Sequence, residues 1–118
     1  MATELVEPKK INVLARAKSE KVFVPKSLGK VGDVTLELAL GDGELPFWHT
    51  NDEDEHVYCV RGTIHYQLKK GEEELPSVDV NEGDLFVIPA GVAHKPVCSP
   101  DNVVLIMEKV NAWTTFDE

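Results

Sequence analysis

Two histidines and a group of acidic and amide side chains lie in one short stretch of the chain, residues 46–62, PFWHTNDEDEHVYCVRG. His49 precedes Asn51 by two residues, and Glu55 follows Asn51 by four. Imidazole nitrogens and carboxylate oxygens are donor groups that divalent metal ions bind in proteins. Acidic clusters more often form a solvated loop, so this stretch alone does not establish a metal site.

The segments that would position these side chains have the pattern of short β-strands separated by turns. From Val34 onward, turn signals rich in Gly, Pro, Asn and Asp alternate with the runs VTLELAL, EHVYCV, TIHYQL, VDV, LFVIPA and VVLIMEKV. This pattern predicts an antiparallel sandwich or barrel. Side chains two apart on a strand share a face, so we expect His49 beside the ring of Phe47.

The chain has no repeat or flexible linker that would divide it, so the sequence predicts one domain over residues 1–118. Within it, residues 34–109 are expected to form the barrel and residues 1–30 an N-terminal arm. In the arm, INVLARAKSE is compatible with a short helix, and KVFVP has the pattern of an edge strand closed by Pro25.

Composition limits the classes of partner. Twelve Lys and Arg against 21 Asp and Glu give a net charge of −9, which repels nucleic acid and anionic membranes. No apolar run approaches the roughly 20 residues of a membrane span, and the start MATELVEPKK lacks the apolar core of a signal peptide. A cytoplasmic location is therefore expected, with Cys59 and Cys98 as free thiols.

A second motif appears in residues 83–94, GDLFVIPAGVAH, with the spacing G-x5-P-x-G-x2-H. The first stretch, extended back to Gly43, has the spacing G-x5-H-x-N-x3-E-x6-G. Together, and in this order, the two patterns resemble the paired motifs of the cupin superfamily. The resemblance implies an all-β fold, a jelly-roll double-stranded β-helix barrel that holds a metal near its mouth.

The same resemblance implies a ligand set. His49, Glu55 and His94 match cupin ligand positions, whereas Asn51 stands where a second histidine is usual. An amide oxygen is a weak ligand, so Asn51 is expected to hold a metal-bound water or to bind the metal weakly. One divalent metal is therefore expected, bound by two imidazoles and one carboxylate.

The metal cannot be chosen from these residues alone. A two-histidine, one-carboxylate set leaves positions open for substrate and O2, which favours Fe(II). Zinc would accept the same residues in a four-coordinate site and would indicate hydrolysis or proton transfer. Manganese and nickel also remain open.

Two groups of cupins are similar to this pattern. One is the small single-domain cupins described as mannose-6-phosphate isomerase-like, and the other is the 3-hydroxyanthranilate 3,4-dioxygenases. The dioxygenases share the H-x-N-x3-E element, the H-x-P-V element after the last ligand, and a glutamate in the final strand, here Glu108. The resemblance implies a catalytic role for Glu108, which would handle a substrate hydroxyl.

The match to these dioxygenases breaks at the substrate carboxylate. They bind it with arginines four residues before the first ligand histidine and four after the last, and this chain has Leu45 and Cys98 there. Neither side chain replaces a bidentate guanidinium. Phe47 and Cys98 are expected to border the pocket, and Arg61 is expected either there or on a solvated turn.

Three other residues have alternative interpretations. Glu108 shares a strand face with Val104 and Ile106, so it lies either in an apolar pocket, with a raised pKa suited to acid-base work, or on the surface at a strand end. Strand alternation turns His56 away from Glu55, and His65 lies on the polar face of TIHYQL. Both are expected to be surface residues.

These observations leave three classes of function open. The first is a metal-dependent enzyme of dioxygenase type, the second an isomerase or lyase acting on a small polar substrate, and the third a non-catalytic binding protein. In each case we expect a small-molecule substrate or ligand, no nucleic-acid or membrane partner, and a homodimer that covers apolar sheet surface.

Overall fold

The computed structural model describes residues 7–110 and 114–117. One short helix, α1, spans Val13–Ala17. Nine strands follow in chain order: β1 Lys26–Val31, β2 Val34–Glu44, β3 Trp48–Asn51, β4 Glu55–Arg61, β5 Ile64–Lys70, β6 Glu73–Val80, β7 Leu85–Ile88, β8 Ala93–Lys109 and β9 Thr114–Asp117. The predicted all-β jelly-roll barrel is confirmed, and every pairing between these described strands is antiparallel.

The longest strand, β8, organises the barrel. Its first half pairs with β3 and β5, and its second half pairs with β2 and β4. A strand of 17 residues can do this only by passing from one wall of the barrel to the other. Both His94 and Glu108 lie on it, so β8 carries candidate site residues near its two ends.

Strand alternation explains the interior. In β5, Ile64, Tyr66 and Leu68 are buried, whereas His65 and Gln67 between them are exposed. The same period on β4 buries Val57 and Cys59. Apolar side chains at every second position therefore meet across the barrel and form its core.

Helix α1 packs on the outside of the barrel. The Asn12 side chain caps it by accepting a hydrogen bond from the Ala15 N–H at 3.0 Å, and Ala17 packs with Leu38 and Val103. Such a cap satisfies one of the free amide groups of the first turn. Leu38 of β2 therefore faces outward under the arm, while Glu37, Ala39 and Gly41 on the other face line the interior.

The arm differs from its expected form in one place. The segment KVFVP does not form the edge strand, which instead begins after Pro25, as β1. Phe23 has φ of 60°, which breaks the extended backbone, and Val22 makes only an isolated parallel bridge to Leu40. The sequence pattern of alternating valines did not reveal this left-handed residue.

Two other findings bear on the chain as a whole. No helix within the described residues is long and apolar enough to cross a membrane. Cys59 and Cys98 are both buried as free thiols.

Candidate metal centre

The barrel interior contains a cavity of about 460 Å³. Its polar lining comes from β2, β3, β4, β8 and β9 and consists of Glu37, His49, Asn51, Glu55, His94, Asn102, Glu108 and Thr114. Its remaining lining is largely apolar and includes Phe23, Leu45, Phe47, Tyr66, Cys98 and Ile106. The three residues predicted to bind metal therefore face one cavity, although they come from three different strands.

The two histidines are brought together by the pairing of β3 with β8, in which His49 lies opposite His94. Their rings are stacked, with centroids 5.6 Å apart and planes at 20°. His94 Nδ1 lies 3.2 Å from the Val92 carbonyl oxygen, and His49 Nδ1 lies 3.4 Å from the His94 carbonyl oxygen. A carbonyl can only accept, so each contact favours a proton on Nδ1 and a lone pair on Nε2.

Glu55 is held by a chain of hydrogen bonds. The Asn51 side-chain amide donates to Glu55 Oε2, and the Thr114 hydroxyl donates to Asn51 Oδ1 at 2.8 Å. Asn51 is only 5% exposed, so its amide is fixed by these two partners. Its oxygen is committed to Thr114 and its nitrogen to Glu55, an orientation in which Asn51 positions the carboxylate.

Burial determines the protonation of the donor groups. It lowers the pKa of His94, and it lowers that of His49 together with repulsion from His94. Neutral imidazole is the form that binds a metal. Burial also raises the pKa of Glu55, and the negative charge of Glu37 adds to this, while the hydrogen bond from Asn51 opposes it.

Glu108 lies in the cavity and not on the surface, with Glu37 as a neighbour. In the pairing of β2 with β8, Thr35 lies opposite Glu108 and Glu37 opposite Ile106, so the two glutamates are diagonal neighbours. Burial raises the pKa of Glu108 from 4.5 to about 8, and a hydrogen bond with Glu37 and the charges of Glu55 and Glu37 add to the effect. The protonated form of Glu108 is therefore favoured beside Glu37.

The acidic groups of the cavity have no basic partner in its described lining. Three glutamates line it, and no Lys or Arg is among the described lining residues. A bound cation would offset this repulsion, and two neutral imidazoles beside a carboxylate are donors suited to such an ion. The donor set of His49, Glu55 and His94 thus fits a divalent metal.

The donor atoms do not yet form a closed ligand set. Within residues 7–110 and 114–117, no three His, Cys, Asp or Glu side chains are close enough together to hold a metal ion as they stand. Two of the predicted donor atoms, His94 Nε2 and Glu55 Oε2, are 4.0 Å apart. Metal binding would therefore require rotation of these side chains toward one point.

Other predicted residues are placed as follows. Phe47 and Cys98 line the cavity, and so does Leu45. Arg61 is not among the described lining residues, because its Nε donates to the Asp101 carbonyl oxygen at 2.9 Å and ties it to an exposed turn. His65 is exposed and contacts Asp79 Oδ1 at 2.6 Å.

Several lining residues were not singled out from the sequence, and three of them bear on the arguments below. Glu37 shares a strand face with Ala39 and Gly41, a signal that could have placed it inside once that face was known to be interior. Tyr66 had a comparable signal in the alternation of β5. Phe23 had none, because its position depends on the left-handed backbone of the arm.

The fold and this cavity define a jelly-roll barrel with a candidate metal centre inside it. Residues 34–107 match the family described as Cupin domain, and the chain belongs to the cupin family. The predicted resemblance to cupins is confirmed.

Among curated proteins, the chain is 28% identical over 86 residues to the 3-hydroxyanthranilate 3,4-dioxygenase of Scheffersomyces stipitis, covering 73% of this chain and 50% of the relative. It is 30% identical over 95 residues to the probable inactive acireductone dioxygenase 1 of Caenorhabditis elegans, covering 79% of this chain and 58% of the relative. The chain thus spans about half the length of the curated relatives it matches.

Among solved structures, one similar fold is the hydroquinone 1,2-dioxygenase PnpCD in complex with Cd2+ and 4-hydroxybenzonitrile. It superposes with a TM-score of 0.76 at 19% identity, covering 92% of this chain and 80% of that chain. Another is a cupin-2 domain containing protein from Shewanella frigidimarina, with a TM-score of 0.69 at 24% identity, covering 84% of this chain and 93% of that chain. At these identities the likeness is one of fold.

Proposed function

We propose that the chain is a metal-dependent cupin enzyme of dioxygenase type that acts on a small hydroxylated aromatic compound. The observation that carries this proposal is the meeting of His49, Glu55 and His94 in one cavity whose described lining has three glutamates and no Lys or Arg. Named dioxygenases among both the sequence relatives and the similar folds support the reaction class.

His49, Glu55 and His94 would hold one divalent metal, with Fe(II) favoured over zinc, manganese and nickel. When bound, Fe(II) supplies open positions at which a substrate hydroxyl and O2 can both bind. Asn51 orients Glu55 by donating to its Oε2. The carbonyl of Val92 orients the His94 ring through Nδ1.

Glu108 would exchange a proton with the substrate hydroxyl. Its carboxyl lies in the cavity, and burial raises its pKa to about 8, which is close to the pH at which such a base must work. Glu37 accepts a hydrogen bond from the protonated Glu108 carboxyl. Glu108 therefore keeps an exchangeable proton beside the candidate metal centre.

The lining also limits the substrate. Leu45 and Cys98 occupy the two positions at which the resemblance would require arginines, and no cation lines the described part of the cavity. A buried carboxylate without such a partner costs several kcal/mol. An uncharged substrate is therefore favoured over 3-hydroxyanthranilate, and the same absence of cations disfavours a sugar phosphate.

Metal content and oxygen consumption test this function. Purified protein, stripped of metal and loaded with Fe(II) under anaerobic conditions, should bind one ion per chain and consume O2 when a catechol or aminophenol is added. Replacing His49, Glu55 or His94 with alanine should remove most of the metal. The matched control is His65→Ala, which removes an exposed histidine and should leave the metal content unchanged.

The outcomes separate the alternatives. Stoichiometric metal in all three alanine variants would overturn the ligand assignment. Bound metal without oxygen consumption, but with tight binding of an aromatic compound, would instead indicate a non-catalytic binding protein.

A further inference from the structure

A short segment of the arm, residues 21–25, closes one part of the cavity; we call it the strap. The Phe23 N–H donates to the Leu40 carbonyl oxygen at 2.8 Å, and the Val24 N–H donates to the Lys21 carbonyl oxygen at 3.2 Å. Phe23 and Pro25 line the cavity. Val22 and Val24 on either side are 45% and 54% exposed. The strap thus directs one ring inward between two exposed valines.

The backbone of the strap is adapted to this placement. Phe23 has φ of 60°, a region that bulky side chains rarely occupy. Such conformations persist where the surrounding structure holds them, and they are enriched at ligand sites. Here the bond to Leu40 and the packing of Phe23 against the barrel core hold it.

The strap lies at the apolar end of the cavity. Along β2, the interior face passes from Glu37, opposite Ile106, to Gly41, opposite Asn102. The glutamates Glu37 and Glu108 lie near the Ile106 end of this face. Phe23 bonds to the Leu40 carbonyl oxygen, next to Gly41 at the other end. At that same end, Gly43 lies opposite Cys98, and the Leu45 N–H donates to the Pro96 carbonyl oxygen at 3.2 Å.

A ligand held at the histidines would therefore extend its far side toward Phe23, Leu45 and Cys98. These side chains offer contact area and no charged partner. Burying an apolar ring there is favourable, whereas burying an anion is costly. The Phe23 ring forms part of the wall at this end.

We propose that Phe23 is a specificity-determining residue, whose ring forms the end wall of an apolar pocket that accepts an uncharged aromatic ring and limits its length. This inference deepens the proposed function, since its meaning for catalysis depends on a metal-bound hydroxyl at the other end. Binding of an aromatic ring in this pocket does not require turnover, so it can be measured separately from catalysis.

The test is calorimetric titration of the full chain, both metal-free and loaded with zinc, which does not consume O2. The probes are phenol, para-propylphenol and the anionic para-hydroxybenzoate. In the native chain we expect phenol to bind more tightly than para-hydroxybenzoate. In Phe23→Ala, the Kd of para-propylphenol relative to that of phenol should fall by about tenfold, because the propyl group fills the vacated space.

Val24→Ala is the matched control, since it shortens an exposed neighbour on the same strap and should leave the ratio unchanged. Phe23→Leu, a smaller truncation, should shift the ratio in the same direction and serves if Phe23→Ala does not fold, as judged by thermal melting. An unchanged ratio in the folded Phe23 variants overturns the proposal, as does failure of the native chain to bind phenol. Failure to bind zinc overturns the proposed function. The metal-free titrations would still decide whether Phe23 determines specificity.

Discussion

Asn51 lies in the candidate metal centre with its side-chain amide bonded to protein groups at both ends. Its amide nitrogen donates to Glu55 and its oxygen accepts from Thr114, so both ends of the amide are occupied by protein groups. The spacing of the first motif identified Asn51 as a departure from the usual ligand set. The spacing could not show the direction of the amide, which depends on β9, a strand more than sixty residues away.

We expect Asn51→Ala to retain metal at neutral pH but to require a higher pH for half-saturation. The hydrogen bond from Asn51 lowers the pKa of Glu55, so its loss raises that pKa further, and the protonated carboxyl binds metal less well. Zinc binding measured between pH 5 and 8 would show the shift. Thr114→Val, which removes only the partner of the amide oxygen, should give a smaller effect. Metal loss equal to that of His49→Ala would make Asn51 a ligand.

Glu108 should make the metal-free protein less stable as pH rises. Its pKa is raised from 4.5 to about 8 in the folded chain, so between these values the folded state binds a proton that the unfolded state has released. The stabilisation is complete below pH 4.5 and is lost as the pH rises through about 8. Melting temperatures of Glu108→Gln should fall less steeply over this window than those of the native chain. Glu82→Gln, at an exposed site, is the control, and an unchanged slope in Glu108→Gln would contradict the assignment.

Strand β2 shows what the sequence predicts at the level of secondary structure and what it leaves open. Alternation placed Leu36, Leu38 and Leu40 on one face of β2 and Glu37 and Ala39 on the other. It could not tell which face is interior, because α1 covers the leucines from outside. The buried face of a strand is set by all of its neighbours, and one of these neighbours was an arm of unpredicted position.

Gly41 allows β2 to approach β8 closely at the apolar end of the cavity. A Cβ built there would overlap the Cys98 side chain and lie 2.8 Å from Asn102 Oδ1. Gly41→Ala should therefore destabilise the fold by about 1–3 kcal/mol, the usual cost of overpacking a closed interior. Chemical denaturation measures this cost. Gly71→Ala would be a poor control, because Gly71 has φ of 60° and alanine is strained there. Ala39→Gly is the better control, and it should lower the free energy of unfolding far less than Gly41→Ala does.

At the scale of the whole molecule, β4 and β7 carry an apolar outer surface that no other described residues cover. Tyr58 lies opposite Leu85, and these two residues are 38% and 56% exposed, while the neighbouring Val87 is 44% exposed. The described part of the arm does not cover this surface, since α1 packs elsewhere on the barrel, where Ala17 is buried with Leu38 and Val103.

We still expect a homodimer, formed through the β4 and β7 surface. Light scattering of the native chain should give about twice the 13.1 kDa of one chain. Leu85→Lys should shift the mass toward that of the monomer, because a lysine buried against its symmetry-related copy is unfavourable. Val31→Lys, on the edge strand β1 where Val31 is 81% exposed, should not. A native mass of one chain at micromolar concentration would reject the dimer.

The length of β8 has a consequence for the order in which the molecule assembles. It pairs Val34 with Lys109 and Leu68 with His94, so the barrel depends on contacts between segments far apart in the chain. Folding dominated by such contacts is slow, on the order of milliseconds to seconds, because loop closure precedes any gain from pairing. His94 reaches His49 and Glu55 only when β8 has docked. A metal ion should therefore leave the refolding rate of the chain nearly unchanged and act almost entirely by slowing its unfolding.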